Sequence, residues 1–415
     1  MRIEVISIGD ELLIGQTINT NAAWIGQELL EAGMEVGRVT TVGDGLSQIK
    51  QALAEAAGRA DYLLVTGGLG PTNDDITRTA ACEYFGVGLI RDEATLDHIR
   101  RLFKRRNLPM ANVNESQALV PETARLMQND RGTAPGYIFE RDGRHYYFMP
   151  GVPYEMKAMM TAVVLPELQK AKGGQVILTH HIATIGIAES SLYEQIGGIP
   201  EIEALVRLAF LPSPSGVRIR LNAMGEHEEE VRARMARAVE RVCCNIRPYI
   251  FAERNIPLEQ ALAEELISRQ EHLGVAESCT GGLIANKFTN LAGSSRFFER
   301  GLVTYSNEAK IQFLGVPEDL IALHGAVSAP VAEAMAEGVV RVSGTDHGLS
   351  VTGIAGPDGG TPEKPVGLVY VGYAGKRGAA VEEHRVISGD RLVNKERFAY
   401  IAMNLLRKQL FNLQT

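Results

Sequence analysis

The sequence predicts an α/β protein in three parts: a parallel sheet with covering helices over residues 1–170, a small α+β domain over 171–252 and an α/β/α sandwich over 253–415. Three observations carry this expectation. Both end parts alternate short apolar strands with amphipathic helices, the pattern of a mainly parallel sheet between helical layers. The middle part pairs a hairpin with helices and, from residue 175 to 252, contains no Asp or Lys. At 415 residues the chain also exceeds what one hydrophobic core ordinarily serves.

The elements follow in order. Strands at 4–8, 36–42 and 62–66 run into helices at 21–31, 46–57 and 74–85. A second group of strands near 124–127, 137–140 and 145–149 leads to a helix over 154–168, and 170–174 reads as a linker. The middle part offers a strand at 175–187, a short helix near 190–196 and a hairpin of 206–210 with 217–223. Pro212-Ser213-Pro214-Ser215-Gly216 separates the hairpin arms, and a helix over 228–242 follows. The third part opens at Pro257, a residue suited to a helix's first turn. Helices at 258–269, 281–291, 329–342 and 393–410 there alternate with strands at 274–277, 302–305, 348–352, 367–373 and 381–387.

Composition narrows the function classes. A net charge of −8 with no long run of Lys or Arg argues against a general binder of nucleic-acid backbone. Cys82, Cys243, Cys244 and Cys279 have no paired spacing, so neither a zinc site nor a disulfide framework follows. Reduced thiols are the simplest reading. The first residues read as a strand rather than a signal peptide, and no apolar run approaches the ~20 residues that span a bilayer. A cytoplasmic protein without a membrane partner is expected.

The chemistry concentrates in the third part. Glu277-Ser278-Cys279-Thr280-Gly281-Gly282 joins a strand to a helix, which displays Ser278 at the carboxyl edge of the sheet, where open α/β folds bind ligands. Amides of Thr280, Gly281 and Gly282 at the helix start are suited to an oxyanion or a phosphate. The same serine also reads as an ordinary helix cap. Tyr305-Ser306-Asn307-Glu308-Ala309-Lys310 ends another strand and starts a helix, so Tyr305 and Lys310 can both face Ser278. A lysine serves as the base of a serine when burial lowers its pKa; otherwise Lys310 is a solvated helix residue. Thr352-Gly353-Ile354-Ala355-Gly356 leads a glycine-rich loop that is neither a Walker motif nor a dinucleotide fingerprint. Arg391 is placed to hold a phosphate bidentately or to sit exposed at a helix start.

These stretches, together with 298–301, 324–328, 364–367 and 388–391, resemble the CinA C-terminal domain, the nicotinamide mononucleotide deamidase family. The resemblance covers nearly the whole third part in order. It implies hydrolysis of nicotinamide mononucleotide to nicotinic acid mononucleotide and ammonia without a cofactor. Ser278 is then the nucleophile, Lys310 the base and Tyr305 its partner. Thr280, Gly281, Gly282, Asn307, Thr352, Gly353, Gly356 and Arg391 are substrate-binding or supporting residues.

In the first part, Thr66-Gly67-Gly68-Leu69-Gly70-Pro71-Thr72-Asn73-Asp74-Asp75 follows a strand and enters a helix. Gly67, Gly68, Gly70 and Thr72 form a candidate anion cradle. Asp74 and Asp75 would repel a phosphate unless a divalent cation bridged them, or else they cap the helix. Asp44 and Asp75, with Asp74, Glu11 and Glu155, are the candidate metal ligands. These strings resemble the molybdopterin-binding domain of the MogA/MoaB type in its CinA version. That resemblance implies a three-layer fold and an ADP-ribose pyrophosphatase dependent on Mg, Mn or Co. The middle part resembles the KH-like domain of the full-length CinA family. It lacks the G-x-x-G loop that clamps nucleic acid and carries eight Arg against nine Glu. A spacer or homodimer contact without nucleic acid is expected. The alternative is a competence or DNA-damage accessory, or a pterin-binding scaffold.

Overall fold

The computed structural model describes residues 1–72, 75–174, 176–376 and 378–413. They form two compact units, residues 1–179 with 224–231 and residues 180–223 with 232–415. Most of the middle part therefore gathers with the third part rather than standing alone.

In the first unit, β1 (Ile3–Ile8), β2 (Val36–Val42) and β3 (Tyr62–Thr66) are parallel. A small pair, β4 (Leu89–Arg91) and β5 (Leu119–Pro121), stands outside the main sheet. β6 (Arg125–Met127) and β7 (Gly136–Arg141) add antiparallel strands beyond β8 (Arg144–Met149), giving the order β2-β1-β3-β8-β7-β6. Alternation sends side chains to two cores. Ile6, Ile8, Leu63, Val65, Phe139 and Phe148 pack beneath the helix Leu46–Ala57. Ile3, Val5, Leu64, Ile138 and Tyr147 pack beneath Thr20–Glu31 and Pro153–Met159 on the other face. This is the expected three-layer arrangement. One helix is shorter than predicted: it begins at Thr77, leaving Asp75 in the preceding loop.

The second unit starts with a sheet ordered β10-β11-β9-β12, where β9 is Val176–Thr184, β10 Arg207–Ser213, β11 Gly216–Gly225 and β12 Ile250–Ala252. Pairing of β10 with β11 continues to Ser213 opposite Gly216, so the turn is Pro214 and Ser215 alone, not five residues. Proline is tolerated there because β10 is an edge strand. The larger sheet runs β14-β13-β15-β16-β17, formed by β13 (Leu273–Glu277), β14 (Phe298–Val303), β15 (His347–Gly353), β16 (Leu368–Gly375) and β17 (Gly378–Arg385). β13, β14 and β15 are parallel, and the last two strands are antiparallel.

Helices cover both faces. Leu258, Leu262 and Leu266, Ile284 and Phe288, and Phe398, Met403 and Leu406 come from three helices and share one core with Val275, Leu349 and Val371. Val331, Met335 and Val339 of the helix Ala329–Ser343 pack with Ala276 and Leu314 in another core. Ile185 of the middle part joins the first of these cores. The Arg407 guanidinium, buried on the last helix, donates to the carbonyls of Pro248 (2.9 Å) and Ile250 (3.3 Å). No helix among the described residues is long and apolar enough to cross a membrane.

Candidate active site

Ser278 follows directly on the central strand β13. Its amide donates to Val351 O at 3.0 Å, and the amide of Thr304, just beyond β14, donates to Glu277 O at 2.8 Å. The serine is thus pinned where three parallel strands end. The chain then turns through Gly281 (φ +65°) and Gly282 (φ +95°), conformations that residues with a Cβ adopt only under strain.

Lys310 comes from the helix Asn307–Leu314, whose first turn is capped by Ser306 Oγ accepting from the Ala309 amide at 3.0 Å. Its Nζ lies 3.1 Å from Ser278 Oγ, 2.9 Å from Thr304 O, 3.2 Å from Tyr305 O and 3.4 Å from Ser306 O. All four are neutral oxygens. Lys310 is 1% exposed and Ser278 8%. Burial pushes the Lys310 pKa below the ordinary lysine value. With its lone pair turned to the serine hydroxyl, a neutral amine donates to two of these three carbonyls at a time.

Several expected roles change. Tyr305 is not the hydroxyl partner of Lys310: β14 ends at Val303, and the Tyr305 ring turns outward, 61% exposed. Its hydroxyl accepts from Arg391 Nη2 at 3.1 Å, while its backbone carbonyl meets Lys310. One residue therefore spans the base and Arg391. Arg391 opens the helix Arg391–Phe411 and also donates to Gly356 O in the glycine-rich loop. Thr352 is buried with its hydroxyl given to Ala326 O at 2.8 Å, so it supports the loop and has no donor left for substrate. Gly353 lies at the end of β15, and Asn307 is exposed on the first residue of the lysine's helix.

The helix-start amides are also committed. Gly281 N donates to Ser278 O at 3.1 Å. The buried Glu277 carboxylate accepts from the amides of Gly282 (3.0 Å), Ile284 (3.1 Å) and Ala285 (2.8 Å). Glu277, Thr304 and Lys395 are site residues the motif reasoning missed. A carboxylate one residue before a helix-start turn was a readable capping signal. Lys395 stands one turn after Arg391, and its Nζ would be 3.5 Å from a Cβ placed on Gly281. The Thr280 and Thr304 hydroxyls are buried with no hydrogen-bond partner among the described residues.

The first unit holds a cavity of about 430 Å3. Glu11, Asp44, Asp75 and Glu155 line it with Gly67, Gly68 and Gly70; Asp74 lies outside the described residues. A Cβ on Gly67 (φ +112°) would strike the Ile8 carbonyl, so glycine is required there; one on Gly70 would meet only the movable Asp75 carboxylate. The carboxylates already have partners. Asp44 accepts from Asp10 N (2.9 Å), Asp75 from Thr72 N (2.9 Å) and Glu155 from Asn129 Nδ2 (2.6 Å). The Thr72 amide is therefore not free for an anion. Among the described residues, no three of His, Cys, Asp and Glu form a group that could hold a metal ion. The predicted ligands line one cavity without closing a cage of their own. Gln117 lines it as well, and nothing in the sequence periodicity marked it.

Comparison with known proteins matches these parts to families. Residues 4–170 match a probable molybdopterin binding domain, 179–252 the damage-inducible protein CinA KH domain and 255–410 the CinA C-terminal domain. The CinA-like protein of Chloroherpeton thalassium is 45% identical over 423 aligned residues, covering 99% of each chain. The CinA-like protein of Chlorobaculum tepidum is 43% identical over 423, covering 100% of each. The crystal structure of CinA from Thermoplasma acidophilum, 36% identical, covers 39% of this chain and 95% of its own, with a TM-score of 0.36. With its three regions matched in order and its relatives aligned end to end, the chain belongs to the CinA family.

Proposed function

We propose that the third part is an amidohydrolase that converts nicotinamide mononucleotide to nicotinic acid mononucleotide and ammonia. The observation that carries this reading is the buried pair of Ser278 Oγ and Lys310 Nζ, 3.1 Å apart and ringed by neutral oxygens. Neutral Lys310 takes the Ser278 proton as Oγ attacks the amide carbon. The Gly281 and Gly282 amides, committed to Ser278 O and Glu277, do not serve as oxyanion donors. Lys310 returns the proton to the departing nitrogen and ammonia leaves. The amine then takes a proton from water, which hydrolyses the ester and frees Ser278. The substrate is the one the resemblance implies, and Arg391 with Lys395 supplies the positive charge a mononucleotide phosphate requires. Ser278→Ala should abolish ammonia release from nicotinamide mononucleotide with an unchanged melting temperature. Near-normal turnover in that variant sinks the assignment.

For the first part, we propose hydrolysis of ADP-ribose to AMP and ribose 5-phosphate. The glycine loop around the cavity supports it as a seat for phosphates. Mg, Mn or Co would be held by Asp44 or Asp75 together with phosphate oxygens, as small hard cations usually are, and would neutralise phosphate charge. Incubation of the full chain with ADP-ribose and each metal tests this reading. No AMP with any of them favours a pterin-binding or structural role. The middle part fits a spacer or dimer contact in a cytoplasmic homodimer with neither nucleic-acid nor membrane partners. A gel shift at physiological salt would overturn the nucleic-acid part of that statement.

A further inference from the structure

Gln117 is 1% exposed and lies against the first-unit cavity, yet neither its Nε2 nor its Oε1 has a hydrogen-bond partner among the described residues. Buried carboxamides are almost always bonded, so an unpaired donor and acceptor facing a cavity mark a place for a ligand. The residue is not loosely placed. Arg78 Nη1 donates to the carbonyls on either side of it, Ser116 O at 2.6 Å and Leu119 O at 3.2 Å. The amide of Asp92 donates to Ala118 O at 2.8 Å, and Ser116 Oγ to Val113 O at 2.7 Å. The backbone carrying the carboxamide is clamped while its polar end is buried and unpaired.

The same cavity is bordered by the Gly67–Gly68 turn before the helix Thr77–Phe85, whose first amide donates to Gly68 O at 3.1 Å. The glycine loop, read above as a phosphate seat, and an unpaired carboxamide thus share one space of about 430 Å3, ample for a mononucleotide. A carboxamide presents a donor and an acceptor side by side. That face complements the exocyclic amine and adjacent ring nitrogen of adenine, a pairing that glutamine makes readily.

We propose that Gln117 is a specificity residue of the first-unit cavity, reading the amine-bearing edge of an aminopurine whose phosphate lies on the glycine loop. The inference rests on the nucleotide reading of that cavity and adds to it the part that recognises the base. Calorimetric titration of the full chain, with Mg, Mn or Co present, with AMP, purine riboside 5′-monophosphate (which lacks the amine) and pyrophosphate tests it. The parent chain should bind AMP about tenfold or more tightly than the deaminated analogue. Gln117→Leu should bring AMP down to the level of the analogue and leave pyrophosphate affinity unchanged. Its melting temperature should not fall, since the carboxamide makes no internal bond. Because Gln117 lies in the first unit, the change between parent and variant reports this cavity alone. Equal loss of AMP and pyrophosphate binding, or a parent that does not discriminate, overturns the role of Gln117 only. Binding of neither ligand overturns the nucleotide reading together with it.

Discussion

At the scale of single residues, the proposed pair of Ser278 and Lys310 would set the pH behaviour. Lys310 must be neutral to accept the serine proton, and burial holds its pKa below 10.5. Deamidation should rise with pH along a limb whose midpoint falls below 10.5. Lys310→Met should lose that limb and about a hundredfold or more in kcat/KM. A midpoint at or above the ordinary lysine value would exclude Lys310 as the base. Stability has the same origin. Between the lowered pKa and 10.5 the unfolded chain binds more protons than the folded one, so stability increases as pH rises through that window. Tyr305→Phe removes only the phenol that Arg391 holds. KM for nicotinamide mononucleotide should rise about threefold to tenfold, with kcat within about twofold. Collapse of kcat would restore Tyr305 as a proton carrier. Ser278 and Lys310 were legible in the sequence because a strand end and a helix start are readable signals. The direction of the Tyr305 ring was not, because it depends on a strand stopping at Val303, two residues early.

At the scale of elements, the helix Leu283–Thr289 has two turns and would not persist alone. Its stability comes from Ile284 and Phe288 in the core and from Glu277 accepting three of its starting amides. Glu277→Ala should cost about 2–3 kcal/mol, read as a lower denaturant midpoint with unchanged slope. Less than about 0.5 kcal/mol would mean that water replaces the carboxylate fully. Most strands and core helices were legible because their apolar periodicity is strong, as at Ile49, Leu53 and Ala56 of Leu46–Ala57. The helix Glu93–Arg105 was not among the expectations, although Asp92 caps it through Thr95 N and Leu96, Ile99 and Leu102 are its buried stripe. Surrounding charge masks so narrow a stripe.

At the scale of the molecule, the three parts, each matched to its own family, gather into two compact units. The gathering of middle and third parts depends on Arg407, bonded to carbonyls 157 and 159 residues earlier. No local pattern announces such a contact. Arg407→Met leaves those carbonyls without their donor and should lower the calorimetric transition of the second unit by about 5 °C or more, leaving that of the first unit in place. A uniform shift of every transition would contradict the independent-unit description.

The Glu277 cap bears on product release. On the proposed amidase reading, hydrolysis would replace a neutral carboxamide with a carboxylate beside Ser278. The nearby amides of Gly282, Ile284 and Ala285, which would otherwise welcome that new charge, already belong to Glu277. An acid formed next to an occupied acceptor gains no bond from that end of the helix and meets a like charge there. On that reading the cap that steadies the nucleophile's turn would also favour expulsion of the acid over retention, and weak product inhibition is expected at this site.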